Sequence, residues 1–209
     1  MKASVVFALI LWLAQFAVVG TLVSRDWVMQ SVTRERDLVE VSMGARAAQR
    51  IATDAARWYD AVCIRTGIAQ ATYDFLIPTP EQAARGHAFH TAGDLLFPWL
   101  KDRLDVLWTM AYQLCARLAL LATWLPFLAV ALVPAVAQGW LRRRIRQTTF
   151  AHASAFRQRY AMYLLLLVLI LLLLALFAPL AIAPMLYPPS AILVAAALEI
   201  IIANTQKRL

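Results

Sequence analysis

The chain has 209 residues, 62% of them hydrophobic and only 15% charged, with a mean hydropathy of +0.66. A soluble domain carries about 25% charged residues, and one core of this size does not need so much apolar side chain. These values exclude a disordered chain, a collagen-like fibre and a disulfide scaffold, weigh against a soluble enzyme, and point to an integral membrane protein with a modest extramembrane part. The formal charge of +8 is unevenly spread. Eleven of the twelve acids lie between Asp26 and Asp105 and the twelfth is Glu199, whereas residues 142–159 hold six arginines and no acid. Such a local excess marks a cytoplasmic membrane flank.

The first apolar run, Ala3 to Val23, lies between Lys2 and Arg25. As a helix it covers about 30 Å, one bilayer core. It exceeds the roughly 7–15 apolar residues of a signal peptide, so an uncleaved anchor is expected. Ser24 to Ile77 has no proline and glycine only at Gly44 and Gly67, which predicts helix, running on from the first span. Val41, Ala45, Ala48, Ala52, Ala55, Tyr59 and Val62 recur at helical spacing and predict one apolar face. Ala48, Ala52, Ala55, Trp58 and Tyr59 are the expected interface of this outer helix, against another helix of the chain in preference to a second subunit. Arg50 and Asp54 have the i,i+4 spacing of a surface ion pair.

Pro78-Thr79-Pro80-Glu81 ends that helix and opens the next. The amphipathic stretch Phe97 to Arg117 leads into a second span, Leu118 to Gly139, which contains Pro126 and Pro134. Arg117, at the outer end, is expected to snorkel. A third span covers Ala161 to Ile182 and a short fourth Ser190 to Asn204, with Tyr187-Pro188-Pro189 as the turn of a helical hairpin.

The fold expected is an all-α integral membrane protein with about four transmembrane helices and a helical extracytoplasmic segment between the first and second. Its parts are the anchor 1–23, the amphipathic segment 24–117 and a three-helix membrane region 118–209 with an Arg-rich loop at 141–160. Lys2, the loop arginines and Lys207-Arg208 then share one side, the cytoplasm of a bacterial inner membrane, and 24–117 is mostly periplasmic.

Several residues carry candidate chemistry. His87, His90 and Asp94 share a helical face, but two histidines and one acid do not complete a zinc site, and no metal or other cofactor is expected. Cys63 and Cys115 fall on the oxidising side and are a candidate disulfide, against the alternative of two small packing residues. Glu199 interrupts an apolar run, where a carboxylate costs about 2.5–3.5 kcal/mol on insertion scales. Gln15 and Gln138 are its candidate intramembrane partners; a proton or ion site in a transporter or channel component is the alternative to a structural role. Arg142, Arg143, Arg144, Arg146, Arg157 and Arg159 set topology and are the candidate contact for anionic lipid or a protein partner. No stacking platform for bases, phosphate loop, catalytic triad or CxxC pair occurs, so neither direct nucleic-acid contact nor an enzyme is expected.

Arg57-Trp58-Tyr59-Asp60-Ala61-Val62-Cys63-Ile64-Arg65-Thr66-Gly67 resembles the WY…TG element of a family of small membrane proteins of bacterial integrating conjugative elements and conjugative plasmids, a family defined as a domain of unknown function. Gly139-Trp140-Leu141-Arg142-Arg143-Arg144-Ile145-Arg146, continuing to Ser154-Ala155-Phe156, is similar to its Arg-rich loop. The tail Asn204-Thr205-Gln206-Lys207-Arg208-Leu209 is similar to its SFKKYL-like ending. The resemblance implies a non-enzymatic inner-membrane subunit of a conjugative type IV secretion system. Family members are encoded near the coupling ATPase, which recruits DNA to the channel. An adaptor or partner of that ATPase, alone or as a homo- or hetero-oligomer, is the implied role.

Overall fold

The computed structural model describes residues 6, 10–11, 14–15, 18–77, 90–148 (side chains from 96) and 154–205, and within these it holds helices and no strand. In chain order they are α1 (Arg25–Met43), α2 (Ala45–Tyr59), a π-turn (Asp60–Ile64), α3 (Ile68–Leu76), α4 (His90–Thr148), α5 (Ala155–Leu176), a 3-10 turn (Pro184–Leu186) and α6 (Tyr187–Asn204). Among the described residues, three stretches are long and apolar enough to cross a membrane: Leu96–Thr148, Ala155–Leu176 and Pro184–Asn204. Of α5's 22 residues only Ala161 and Val168 are buried, and Leu164, Leu167, Leu169, Leu171 and Leu173 are exposed, as leucines are against lipid. Ten of the 21 residues of the expected first span lie outside the described residues; of those described within it, 6, 10–11, 14–15 and 18–22 are helical and Val23 is not.

Two units emerge, Met1–Leu120 with Leu176–Ile182, and Leu121–Ala175 with Ala183–Leu209. This differs from the expected parts 1–23, 24–117 and 118–209, because the segment after α5 belongs with the first unit.

In the first unit the expected continuous helix over 24–77 is broken three times. Ser24 is extended and its hydroxyl accepts from Trp27 N at 3.4 Å, a capping contact that starts α1 afresh. Gly44 sits at φ 85°, a conformation open to glycine, and separates α1 from α2. The π-turn and Gly67, at φ 72°, then precede α3. The chain reverses at 23–24. Val19 and Val28 share a core with Val106 and Met110 on α4, Arg103 donates to Val23 O at 2.6 Å, and Glu35 reaches Arg117. The residues before the turn therefore descend α4 and α1 climbs it again. The buried positions of α1 are Val28, Ser31, Glu35 and Val39, and those of α4 include Val106, Met110, Gln113, Arg117 and Leu120. Both sets follow steps of three and four, the spacing of a helix–helix seam.

The face of α2 is narrower than expected. Ala48, Ile51 and Ala55 are buried and Ala52 is half-buried, but Val41 and Val62 are exposed and Trp58 is off the packed face. The wider π-turn brings Cys63 inward where uninterrupted spacing predicted Val62. Tyr59 packs edge-on against Tyr112 of α4 at 5.8 Å, which makes this helix self-packed within the unit. Asp54 pairs with Arg57 at 3.6 Å, not with Arg50.

In the second unit, the expected Arg-rich loop 141–160 is largely helix. Leu141 to Thr148 are the last turns of α4 and α5 starts at Ala155. The third span stops at Leu176, short of Ile182, since Pro179 disfavours helix in the residues before it. The fourth starts earlier, with Pro188 and Pro189 inside the first turn of α6, where a missing N–H costs nothing. Counted from Pro184 it has 21 residues, about the roughly 20 needed to span. Ser154, preceding α5, reaches Asn204 at the end of α6, so these two helices are antiparallel.

Candidate functional site

Two arginine clusters carry the polar chemistry. In the first unit Arg117 has no exposed side-chain surface. Its Nε donates to Glu35 Oε1 (2.9 Å) and its Nη2 to Glu35 Oε2 (2.7 Å). Nη1 donates to Leu176 O and Ala178 O (3.1 and 2.8 Å), and Nη2 also to Leu180 O (2.6 Å). All five guanidinium N–H groups thus have acceptors. Gln113 Nε2 donates to Glu35 Oε2 at 2.8 Å. Trp27 Nε1 and Ser31 Oγ both donate to Pro179 O (2.9 and 3.0 Å). The chain after α5 has no helical partners for these carbonyls, and α1 and α4 supply them. The expectation that Arg117 snorkels to solvent is therefore corrected: it is buried beside a carboxylate that periodicity alone had not singled out. The signal was present in the seam spacing, which places Glu35 on the buried stripe of α1 and Gln113 and Arg117 on that of α4.

At the margin of this unit, Arg25 approaches Asp105 at 3.4 Å, and the Tyr73 hydroxyl donates to Asp105 Oδ1 at 2.6 Å. Burial, and then that hydrogen bond, push the Tyr73 pKa well above the usual tyrosine range. Cys63 and Cys115 are both free thiols, the first buried and the second half-buried. Burial raises the Cys63 pKa. The Tyr59 pKa is raised by burial first and then by Cys63 and Cys115.

In the second unit Gly139, Arg142 and Arg146 share the face of α4 that meets α6. A Cβ on Gly139 would stand 2.9 Å from Glu199 O and 3.0 Å from Ile202 Cβ, so only glycine permits this approach. The close approach brings Arg142 Nη1 to 2.5 Å from Glu199 Oε1, an ionic contact without hydrogen-bond alignment. Arg146 Nη1 donates to Asn204 Oδ1 (2.7 Å) and Ala203 O (3.1 Å). The Ser154 N–H also donates to Asn204 Oδ1, at 3.3 Å, and Asn204 Nδ2 donates to Ile200 O. A cation here suits the C-terminal end of α6, where carbonyls are unpaired. Gln138, an expected partner of Glu199, is exposed, and Gln15 is a half-buried residue of the first unit. Glu199 pairs with an arginine of the flank instead.

This geometry sorts the six arginines. Arg142 and Arg146 hold α6. Arg144 stacks over Trp140 at 4.2 Å. Arg157 and Arg159 are exposed and Arg143 half-exposed, and none of these three has an ion pair among the described residues. His87 lies outside the described residues, as do the side chains of His90 and Asp94.

No curated protein and no solved structure matches the chain. A family model does, over residues 6–206; it is described as IncC plasmid conjugative DNA transfer protein DtrJ-like. That match takes in both arginine clusters and nearly all of the sequence, and the chain belongs to the DtrJ-like family of conjugative DNA transfer proteins.

Proposed function

We propose that this protein is a non-enzymatic inner-membrane subunit of a conjugative type IV secretion apparatus and an adaptor for its coupling ATPase. Family membership supports the process, conjugative DNA transfer. The observation that supports the docking role is the division of labour among the arginines: Arg143, Arg144, Arg157 and Arg159 present charge outward while Arg142 and Arg146 are committed to α6. The arginine-only flank of the apolar helices supports a cytoplasmic side for these residues, with 24–117 mostly periplasmic. A cytoplasmic partner with an acidic face is the complement of such a surface. The pairing of Glu199 with Arg142 supports a structural role for that carboxylate over an ion pathway.

Co-purification from a host carrying the parent element tests the reading. Wild-type protein should retain the coupling ATPase. Replacing Arg143, Arg144, Arg157 and Arg159 together by Gln should weaken its binding at least tenfold, about 1.4 kcal/mol, and lower DNA transfer, while membrane levels and topology reporters stay unchanged. Retention of the ATPase by a correctly inserted quadruple variant would exclude these arginines as the docking surface.

A further inference from the structure

In the second unit an apolar groove and a free cation share one stripe of α4. Val133, Val136, Ala137 and Trp140 line the groove, with Leu132 and with Ile202 of α6. Its volume is about 550 Å³, inside the about 300–1,000 Å³ range of ligand pockets. From Leu132 to Trp140 it follows α4 for about 12 Å. Val133, Val136 and Trp140 are exposed, so it opens on the outside of the helix pair. Positions 133, 137, 140 and 144 are separated by steps of four, three and four, which sets Arg144 one turn beyond the groove on the same face. A helical side chain leans back towards the N-terminus. Arg144 does so: its guanidinium lies over the Trp140 ring, 4.2 Å from the centroid. A cation thus stands at the Trp140 end of the groove. Arg144 is exposed and, among the described residues, has neither an ion pair nor a hydrogen-bond acceptor.

We propose that this groove is a binding site for an anionic glycerophospholipid, with an acyl chain along Val133 and Val136 and the phosphate accepting from Arg144. The two halves of the site together name the occupant. An apolar lining suits any hydrocarbon, but a cation at its end selects an amphiphile with a negative headgroup. The stack holds the guanidinium plane and leaves its N–H edges to pair with phosphate oxygens. The depth agrees. Trp140 closes the apolar run Leu118–Gly139 and four arginines follow within six residues, the order of hydrocarbon, interface and headgroup. A partner's membrane helix needs a face as long as its own span, about 30 Å, and the groove covers less than half of that. The site uses Arg144 alone of the four outward arginines and stands whether or not the coupling ATPase docks.

The test uses the full chain in mild detergent, offered equal amounts of dioleoyl phosphatidylglycerol and dioleoyl phosphatidylcholine. The two share their acyl chains and differ in net charge. Native mass spectrometry counts the lipid retained most tightly. Wild-type protein should retain the anionic lipid about fivefold over the zwitterionic one, about 1 kcal/mol, the value of one arginine at an anionic lipid surface. Arg144→Gln should lose that preference. Arg157→Gln combined with Arg159→Gln removes more charge and should keep it. A photo-crosslinker in place of Val133 should form lipid adducts in membranes. Equal retention of the two lipids by the wild-type protein, an equal loss of preference in the Arg157 and Arg159 variant, or a protein adduct at position 133 would each overturn the proposal. The first comparison is made on unaltered protein, so a folding defect in a variant does not obscure it. No ATPase is present in it, so its failure leaves the docking reading untouched.

Discussion

Arg117 in the first unit has no exposed side-chain surface and serves one carboxylate and three carbonyls, whereas Arg142 in the second is more than half exposed and meets one carboxylate. The difference is one of solvent. Removing a buried partner strands a charge in a low-dielectric interior, while an exposed partner is replaced by water. The first cluster therefore holds its unit together. In the second, helix contact is set by backbone approach at Gly139 and by Asn204, and most of its arginine charge is left over for other molecules.

The largest test of this contrast is Arg117→Ala or Glu35→Ala. Either leaves a buried charge and should destabilise the first unit by about 3–5 kcal/mol, read as a lowered thermal midpoint in detergent or loss of folded protein. The double replacement Glu35→Leu with Arg117→Met should recover much of that loss, since no lone charge remains. A double variant as unstable as the singles would show that the three carbonyl contacts, not the ion pair, carry the stability.

Next in size is Gly139→Leu, which forces a side chain against the backbone of Glu199. Overpacking of this kind costs about 1–3 kcal/mol, and Gly139→Ala should cost less. A cysteine pair placed across α4 and α6 reports the separation directly: its cross-linking yield should fall in Gly139→Leu. Asn204→Ala should follow, at about 1–3 kcal/mol for the donors left unsatisfied at a buried position.

The smallest effect is expected from Arg142→Gln. The exposure of Arg142 limits its pair with Glu199 to about 0–1 kcal/mol, so the thermal midpoint should hardly move. Should Arg142→Gln match Arg117→Ala in stability, the contrast between the two units would be wrong. The quadruple Gln variant of the outward arginines should also leave stability intact while losing the partner, which separates docking from folding.

Much of the architecture was legible because its signals are local. Apolar length marked the spans, arginine density marked the flank, and Ala48 and Ala55 are buried where helical spacing placed them. The α2 stripe then went astray at Val41 and Val62, because Gly44 and the π-turn shift the register and periodicity assumes none. The hairpin turn was misplaced for a similar reason. Prolines 188 and 189 read as a break, yet a first helical turn tolerates them.

By itself the sequence determined a helical fold, three of its four expected spans as found among the described residues, the sign of their charged flank and the family to which the chain belongs. These follow from composition and short-range order, which need no knowledge of distant neighbours. Only the tertiary structure decided that Glu35 meets Arg117, that Arg117 holds the chain after α5, and that Glu199 takes Arg142 rather than Gln138. Residues 82 and 57 apart in sequence choose each other through helix packing and desolvation; spacing puts Glu35 and Arg117 on buried stripes but does not pair them.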